Sequence, residues 1–151
     1  MELSIIFLPL IASIISGFFG KFIGDRNSEI VTSALVSISA LLSIFVLYQV
    51  IINQYEENIV IATWINSGSL DVNWSMLIDP LSAVMLVVVT SVSSLVHIYS
   101  IGYMSHDPHK PRFMAYLSLF TFAMLMLVTS DNFLQLFFGW EGVGLCSYLL
   151  I

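Results

Sequence analysis

The run NFLQLFFGWEGVGLCSYLLI, Asn132–Ile151, decides the fold class of this protein. It is about as long as the roughly 20 apolar residues that a helix needs to cross a bilayer, and Glu141 is its only charge. Four other apolar runs share this character: Leu3–Ile23, Ile30–Ile52, Ile78–Ser100 and Phe113–Ser130. The sequence therefore predicts an all-α integral membrane protein with about five transmembrane helices.

The composition agrees with a membrane protein and excludes several other classes. Hydrophobic residues make up 58% of the chain and charged residues only 9%, whereas soluble domains are roughly one quarter charged. A net charge of -6 with four basic residues argues against nucleic acid and against a polybasic lipid-binding surface. The single cysteine, Cys146, allows no internal disulfide.

The basic residues predict the orientation of the chain in the membrane. Lys21 and Arg26 separate the first and second runs, and Lys110 and Arg112 separate the third and fourth. Under the positive-inside rule, these loops face the cytoplasm or the mitochondrial matrix. The N-terminus is then expected on the outer side, in the periplasm or the intermembrane space.

The segment at about residues 58–76, between the second and third runs, predicts a small β-hairpin on the outer face. Ile59–Ile65 is β-prone, Asn66–Ser69 supplies turn residues, and apolar residues then alternate with polar ones from Leu70 to Met76. An irregular amphipathic loop at the lipid headgroups is the alternative.

Polar residues at the run boundaries predict helix caps. Asp79 precedes Pro80 and is expected to cap the third helix, with proton exit as a weaker alternative role. Asp131 or Ser130 is expected to cap the fifth helix.

Small residues at helical spacing predict close helix packing. They are Ser16, Gly20 and Gly24 on the first helix, and Ser33 and Ser37 on the second.

Glu141 is the strongest candidate for chemistry. It lies roughly 14 Å into a hydrocarbon layer of about 30 Å, close to the midplane, where a charge costs about 2.5–3.5 kcal/mol on insertion scales. Burial favours the neutral acid and a nearby cation favours the carboxylate, so such a group can load and release a proton. Gly139, Gly142 and Gly144 thin the helix around it and would admit another helix or water. The alternative is a protonated glutamate that only pairs helices.

Thr90, Ser94 and His97 fall on one face of the third helix, at i, i+4 and i+7. Together they are a candidate proton relay, because imidazole titrates near neutrality. Alternatively, the hydroxyls bond their own backbone and His97 extends to the inner interface.

No motif in the chain predicts a cofactor or a metal. His106, Asp107 and His109 are interrupted by prolines and make a poor tetrahedral site, so an interfacial loop is expected there. No P-loop, haem or Cys-x-x-Cys signature is present.

Two stretches carry a resemblance to a known family. DPLSAVMLVVVTSVSSLVHIYSIGYMSHDPHKPRFMAYLSLFTFAMLML and SDNFLQLFFGWEGVGLCSYLLI resemble the N-terminal part of chain 5 of NADH:ubiquinone oxidoreductase, respiratory complex I, whose bacterial counterpart is subunit L. GWEGVGLCSYLLI is the most diagnostic run, and the match is specific from Asp79 to Ile151.

The resemblance implies an antiporter-like subunit of the proton-translocating membrane arm, built from inverted five-helix repeats. Residues 1–112 would be three preliminary helices with the hairpin, and residues 113–151 the first two helices of a repeat. Glu141 matches the family's essential acid, whose lysine partner would lie beyond Ile151. The chain is thus expected to be a fragment that acts with the remainder of its subunit.

The resemblance also implies the wider setting of the chain. NADH, FMN, iron–sulfur clusters and quinone are expected in other subunits, and the partners are the other membrane-arm subunits and the lipid bilayer. The location would be the bacterial cell inner membrane or the mitochondrial inner membrane. Two alternatives remain: the large subunit of an Mrp-type cation/proton antiporter, and a membrane scaffold without a transport role.

Overall fold

A computed structural model describes residues 1–151, which form five helices and one hairpin. All five helices are long and apolar enough to cross a membrane, which confirms the predicted all-α multi-pass membrane protein. In chain order the elements are α1 (Glu2–Ile23), α2 (Asp25–Asn53), β1 (Glu57–Ser67), β2 (Leu70–Ile78), α3 (Pro80–Tyr103), α4 (Lys110–Val128) and α5 (Phe133–Leu150).

The helices form one bundle around α4, which packs against each of the other four. α1 and α3 both pack on α2 as well, whereas α5 packs mainly on α4. The apolar core lies where the helices meet the hairpin. Its buried members are Ile5, Ile6, Val46, Val50, Met76, Ile78, Ala83, Leu86, Leu125 and Met126.

The four basic residues all lie at the end of the bundle opposite the hairpin, here called the basic end. Lys21 is in the last turn of α1, and Arg26 is at the start of α2. Lys110 and Arg112 are at the start of α4. The Ser16 hydroxyl donates a hydrogen bond to the Pro111 carbonyl oxygen at 2.7 Å, so the end of α1 lies against the start of α4. A Cβ on Gly20 would lie 2.7 Å from the Pro111 Cβ, which explains the glycine and confirms this part of the predicted packing face.

Gly24 does not belong to that packing face, and its predicted packing role is wrong. It separates α1 from α2 with a φ of 87°, and no atom lies within 4 Å of the position of a Cβ there. A positive φ is available to glycine without steric cost, so Gly24 acts as the hinge between two helices.

The predicted hairpin is confirmed, and the irregular-loop alternative is wrong. β1 and β2 pair antiparallel from Glu57 with Ile78 to Ser67 with Leu70, and Gly68 at the turn has a φ of 62°. Trp64, Trp74 and Phe138 of α5 form an aromatic cluster with ring centroids 4.7–6.3 Å apart. The hairpin therefore packs against the first part of α5.

The break between α4 and α5 differs from the predicted capping. Asn132 is the N-cap of α5, because its side-chain oxygen accepts a hydrogen bond from the Gln135 backbone N–H at 2.8 Å. Asp131 instead accepts hydrogen bonds from the Asn58 side-chain amide at 2.9 Å and from the Ser75 hydroxyl at 3.0 Å. The prediction of Asp131 or Ser130 as the cap is wrong, since the hairpin takes the carboxylate of Asp131.

Gln135 completes the attachment of α5 to the hairpin. Its side-chain carbonyl accepts from the Ser75 backbone N–H at 3.0 Å, and its amide donates to the Ser75 carbonyl oxygen at 2.6 Å. The Leu77 backbone N–H also donates to the Thr129 carbonyl oxygen at 2.9 Å. A fully buried side chain thus imitates a neighbouring strand along the edge of β2.

The start of α3 has the predicted cap. The Asp79 carboxylate accepts from the Ser82 backbone N–H at 2.6 Å, and the Ser82 hydroxyl accepts from the Asp79 backbone N–H at 2.8 Å. This reciprocal capping box satisfies two backbone donors at the point where the chain leaves the hairpin.

Gln135→Leu should loosen the hairpin from α5. The change leaves the buried N–H and C=O of Ser75 without partners, which costs about 1–3 kcal/mol. We expect a lower unfolding temperature in detergent and a changed tryptophan emission, because the Trp64–Trp74–Phe138 cluster opens. Gln49→Leu is the matched control, since the side chain of Gln49 on α2 is only half-buried. Equal stability of the two variants would contradict the proposed attachment.

Candidate functional site: a buried polar seam and an intramembrane acid

Two of the three candidate relay residues on α3 face α2. The Thr90 hydroxyl lies 2.8 Å from that of Ser43, and the Ser94 hydroxyl lies 2.7 Å from that of Ser37. Thr90 and Ser94 are both buried. The hydroxyls therefore pair across the helix interface, where Ser43, Thr90 and Ser94 are buried and Ser37 is half-buried.

His97 faces the other neighbour of α3, the helix α4, and is fully buried. Its Nδ1 lies 2.7 Å from the Ser93 carbonyl oxygen, and its Nε2 lies 3.0 Å from the Ser118 hydroxyl. A carbonyl oxygen can only accept, so Nδ1 carries a proton, and in the neutral ring Nε2 accepts from Ser118. The Ser93 hydroxyl continues this chain of contacts to Thr121 on α4.

These contacts define a polar seam through the bundle. The seam consists of Ser37 and Ser43 on α2; Thr90, Ser93, Ser94 and His97 on α3; and Ser118 and Thr121 on α4. Four of them, Ser43, Ser93, Ser118 and Thr121, were missed in the sequence, and Ser37 was predicted only as a packing residue. Ser118 and Thr121 are three residues apart, a spacing that could have marked a polar face on α4.

The contacts agree in part with both interpretations of Thr90, Ser94 and His97, as a proton relay and as residues that bond their own backbone. Thr90 also donates to the Leu86 carbonyl oxygen of its own helix at 2.7 Å, as the alternative interpretation predicts. The extension of His97 to the interface is wrong, because the imidazole is enclosed between α3 and α4. No hydrogen bond joins Thr90, Ser94 and His97 to one another, so any transfer along α3 requires intervening water.

Glu141 lies at the middle of α5 and is exposed on the outside of the bundle. It is the ninth of the 18 residues of the helix, and its carboxylate forms no hydrogen bond and no ion pair. Trp140 and Tyr148 are also exposed on α5. An acid at this depth normally faces protein or water rather than lipid.

Two of the three glycines around Glu141 bring α5 close to α4. A Cβ on Gly139 would lie 2.8 Å from the Leu127 Cα, and one on Gly142 would lie 3.2 Å from the Ala123 Cβ. Gly144 has no atom within 4 Å of its Cβ position, so this structure offers no contact for its predicted packing role.

The seam and the acid are not in contact. Ser118 and Thr121 point from α4 towards α3, whereas α5 packs on α4 through its glycines. A transfer of protons from His97 to Glu141 therefore has no direct hydrogen-bonded route within residues 1–151.

Residues 104–109 form the connection between α3 and α4. The Asp107 carboxylate accepts a hydrogen bond from the His109 backbone N–H at 2.7 Å. No group of three His, Cys, Asp or Glu side chains in residues 1–151 is arranged to hold a metal ion. The carboxylate thus serves the turn that starts α4.

The five apolar helices define a multi-pass membrane protein that contains a buried polar seam and a mid-span acid. The family described as NADH-Ubiquinone oxidoreductase (complex I), chain 5 N-terminus, matches residues 64–114. Over these residues the chain is similar to the chain 5 family, and the relatives match it through their N-terminal part.

Relatives in several organisms extend the similarity over the whole chain. It is 59% identical over 151 residues to the NADH-ubiquinone oxidoreductase chain 5 of Arabidopsis thaliana, covering 100% of this chain and 23% of that protein. The chain 5 protein of Triticum aestivum is 58% identical over 151 residues, with 100% and 22% covered. That of Phytophthora infestans is 55% identical over 149 residues, with 99% and 22% covered. The chain thus spans less than a quarter of the length of these relatives, and the aligned region includes Glu141.

Gly139→Ala should separate α5 from α4. The added methyl group meets backbone atoms of Leu127, which cannot rotate away, so the helices must shift at a cost of about 1–3 kcal/mol. We expect a lower unfolding temperature by circular dichroism in detergent. Gly144→Ala is the control, because its methyl group enters open space and a helical alanine is favoured by about 0.5–1 kcal/mol. A loss of stability only in the Gly144 variant would refute this packing.

Ser118→Ala should destabilise the seam by leaving the buried Nε2 of His97 without a partner. The cost of one unsatisfied buried group is about 1–3 kcal/mol. Unfolding followed by circular dichroism in detergent measures the loss. Ser147→Ala on α5 is the control, because that side chain is exposed. Indistinguishable unfolding of the two variants would show that the contact between Ser118 and His97 adds no stability.

Proposed function

We propose that this chain is part of the membrane arm of NADH:quinone oxidoreductase and takes part in proton translocation coupled to quinone reduction. The observation that best supports this proposal is the similarity to chain 5 proteins over all 151 residues. Glu141 lies within this similarity, at mid-span. The activity belongs to the assembled complex, and this chain contributes transport residues rather than a redox centre.

In this proposal Glu141 is the proton-carrying acid of the subunit. Its exposed face on α5 is unpartnered in residues 1–151, and an ionised carboxylate facing lipid would cost about 2.5–3.5 kcal/mol. A further helix that carries a cation would cover this face and favour the carboxylate. Withdrawal of the cation favours the neutral acid, so Glu141 takes up a proton. Return of the cation then releases that proton.

The polar seam is the proposed route for protons from the inner side. His97 can accept a proton on Nε2 from the side of Ser118 and release the proton on Nδ1 to the Ser93 hydroxyl, 3.3 Å away. Thr90 and Ser94 extend the hydroxyl path along α2. Because α4 separates the seam from Glu141, the remainder of the subunit must supply the water or side chains that join them.

In this proposal the other subunits of the complex supply the redox groups. NADH, FMN, iron–sulfur clusters and quinone are assigned to other subunits, and the direct partners are the remainder of this subunit, other membrane-arm subunits and the bilayer. We place the basic end on the inner side and the N-terminus on the outer side, following the positive-inside rule. The proposed location is the bacterial cell inner membrane or the mitochondrial inner membrane.

Glu141→Gln should abolish or strongly reduce proton pumping while the complex still assembles. Glutamine keeps the size and polarity of the side chain but cannot carry a proton. Vesicles that contain the complex report NADH:quinone turnover and pumping together. Glu56→Gln, an exposed glutamate between α2 and β1, is the matched control and should pump normally.

The same measurement separates the alternatives. Normal pumping with normal assembly in Glu141→Gln would remove the transport role and leave the scaffold interpretation. Sodium-dependent proton exchange in everted vesicles without NADH-linked activity would instead indicate an Mrp-type antiporter. The chain 5 identity of the relatives favours complex I over that antiporter.

A further inference from the structure

Glu29 is a second acid inside the bundle, and the proposed function does not use it. It lies on α2 near the basic end and is 5% exposed. Its Oε1 is buried and has no hydrogen-bond partner. An unpartnered buried carboxyl oxygen is costly in either protonation state, so a ligand is expected at this atom.

The orphaned oxygens of the protein concentrate around Glu29. Four buried side-chain polar atoms have no partner, and three of them lie between positions 28 and 33 of α2: the Ser28 hydroxyl, Glu29 Oε1 and the Ser33 hydroxyl. Ser28 and Ser33 are also buried, at 0% and 7% exposed. Buried polar groups are nearly always paired with protein or water, so such a concentration marks a binding site.

Helical geometry connects this site to the polar seam. Glu29, Ser33 and Ser37 follow one another at a spacing of four residues, so they lie along one face at intervals of roughly 6 Å. One water molecule with two hydrogen bonds of about 2.8 Å spans such an interval. Ser37 is hydrogen-bonded to Ser94 of the seam at 2.7 Å.

The chemistry of the site favours water over a metal cation. Serine hydroxyls both donate and accept, and a bound water needs two to four polar partners, which these three oxygens provide. A cation would require more oxygen ligands and would be opposed by the basic residues at this end. The titratable and charged groups there are Lys21 on α1; Asp25 and Arg26 on α2; Tyr99 and Tyr103 on α3; His106 and Asp107 in the connection; and His109, Lys110 and Arg112 at the start of α4. None of them forms an ion pair with Glu29.

We infer that Ser28, Glu29 and Ser33 form a buried hydration site through which protons pass between the basic end and the seam. A Glu29 carboxylate oxygen accepts a proton from a hydronium ion, which leaves as water, and later donates that proton to the water between Ser33 and Ser37. The passage of protons through this site rests on the proposed transport function, but the existence of the hydration site does not.

Infrared spectroscopy of the resting complex, isolated from its native membrane, tests the site. The spectrum of the native complex minus that of Glu29→Gln should contain the carbonyl stretch of one protonated carboxyl group, which grows as the pH falls. In D2O this band should shift on mixing, because bound water exchanges the proton. Ser33→Ala should slow the exchange roughly tenfold, the factor that corresponds to one lost hydrogen bond.

Controls and pumping separate this inference from the proposed function. Glu56→Gln should not remove a band that exchanges through Ser33, and Ser147→Ala should leave the exchange rate unchanged. In turnover, Glu29→Gln should lower proton uptake by about 10²-fold or more, with partial recovery in Glu29→Asp. A band that does not exchange in D2O, or its absence at every pH where the complex is stable, overturns the site. The infrared spectrum is recorded without turnover, so it tests the hydration site independently of pumping. Normal pumping by Glu141→Gln would refute the proposed function but would not affect the hydration site.

Discussion

The absence of a hydrogen-bonding solvent in the bilayer is the constraint on which this structure depends. Every polar group inside the bundle must find its partner in the protein or in trapped water. The hydroxyl pairs Ser43–Thr90 and Ser37–Ser94 and the contact between His97 and Ser118 answer this requirement between helices. Because each contact needs both side chains at the interface, the pairs set the rotation of α3 between α2 and α4. The same buried groups then provide a polar route through an apolar bundle.

The hairpin meets the constraint at the opposite end from the basic residues. The chain interrupts its helices at residues 129–132, which leaves backbone groups without helical partners. Thr129, Asp131 and Gln135 bond to β2, and Asn132 caps α5 and also donates to the Asn73 carbonyl oxygen at 2.8 Å. The polar break between α4 and α5 thus attaches the start of α5 to the hairpin. Glu141 lies halfway along α5.

Much of the architecture could be predicted because local signals controlled it. Apolar runs predicted all five helices, and the pair Asp79–Pro80 predicted the cap of α3. The β-prone run Ile59–Ile65, the turn residues Asn66–Ser69 and the alternation from Leu70 to Met76 predicted the hairpin. The errors occurred where a distant partner competed with a local rule. Asp131 has a good capping side chain, but Asn58 and Ser75 bind its carboxylate, so Asn132 caps instead. Gly24 has the spacing of a packing residue, yet it forms a hinge.

Five long apolar runs and the WEGVG run were enough to predict a multi-pass membrane protein that resembles chain 5 and has an acid at mid-span, because these signals are local. The meeting of polar residues could not be predicted, because it depends on how the helices pack. His97 turns to α4 while Thr90 and Ser94 turn to α2, and Glu141 lies on the far side of α4 from the seam. Periodicity places residues on a face but does not say which helix packs there. That choice is made by contacts between residues far apart in the chain.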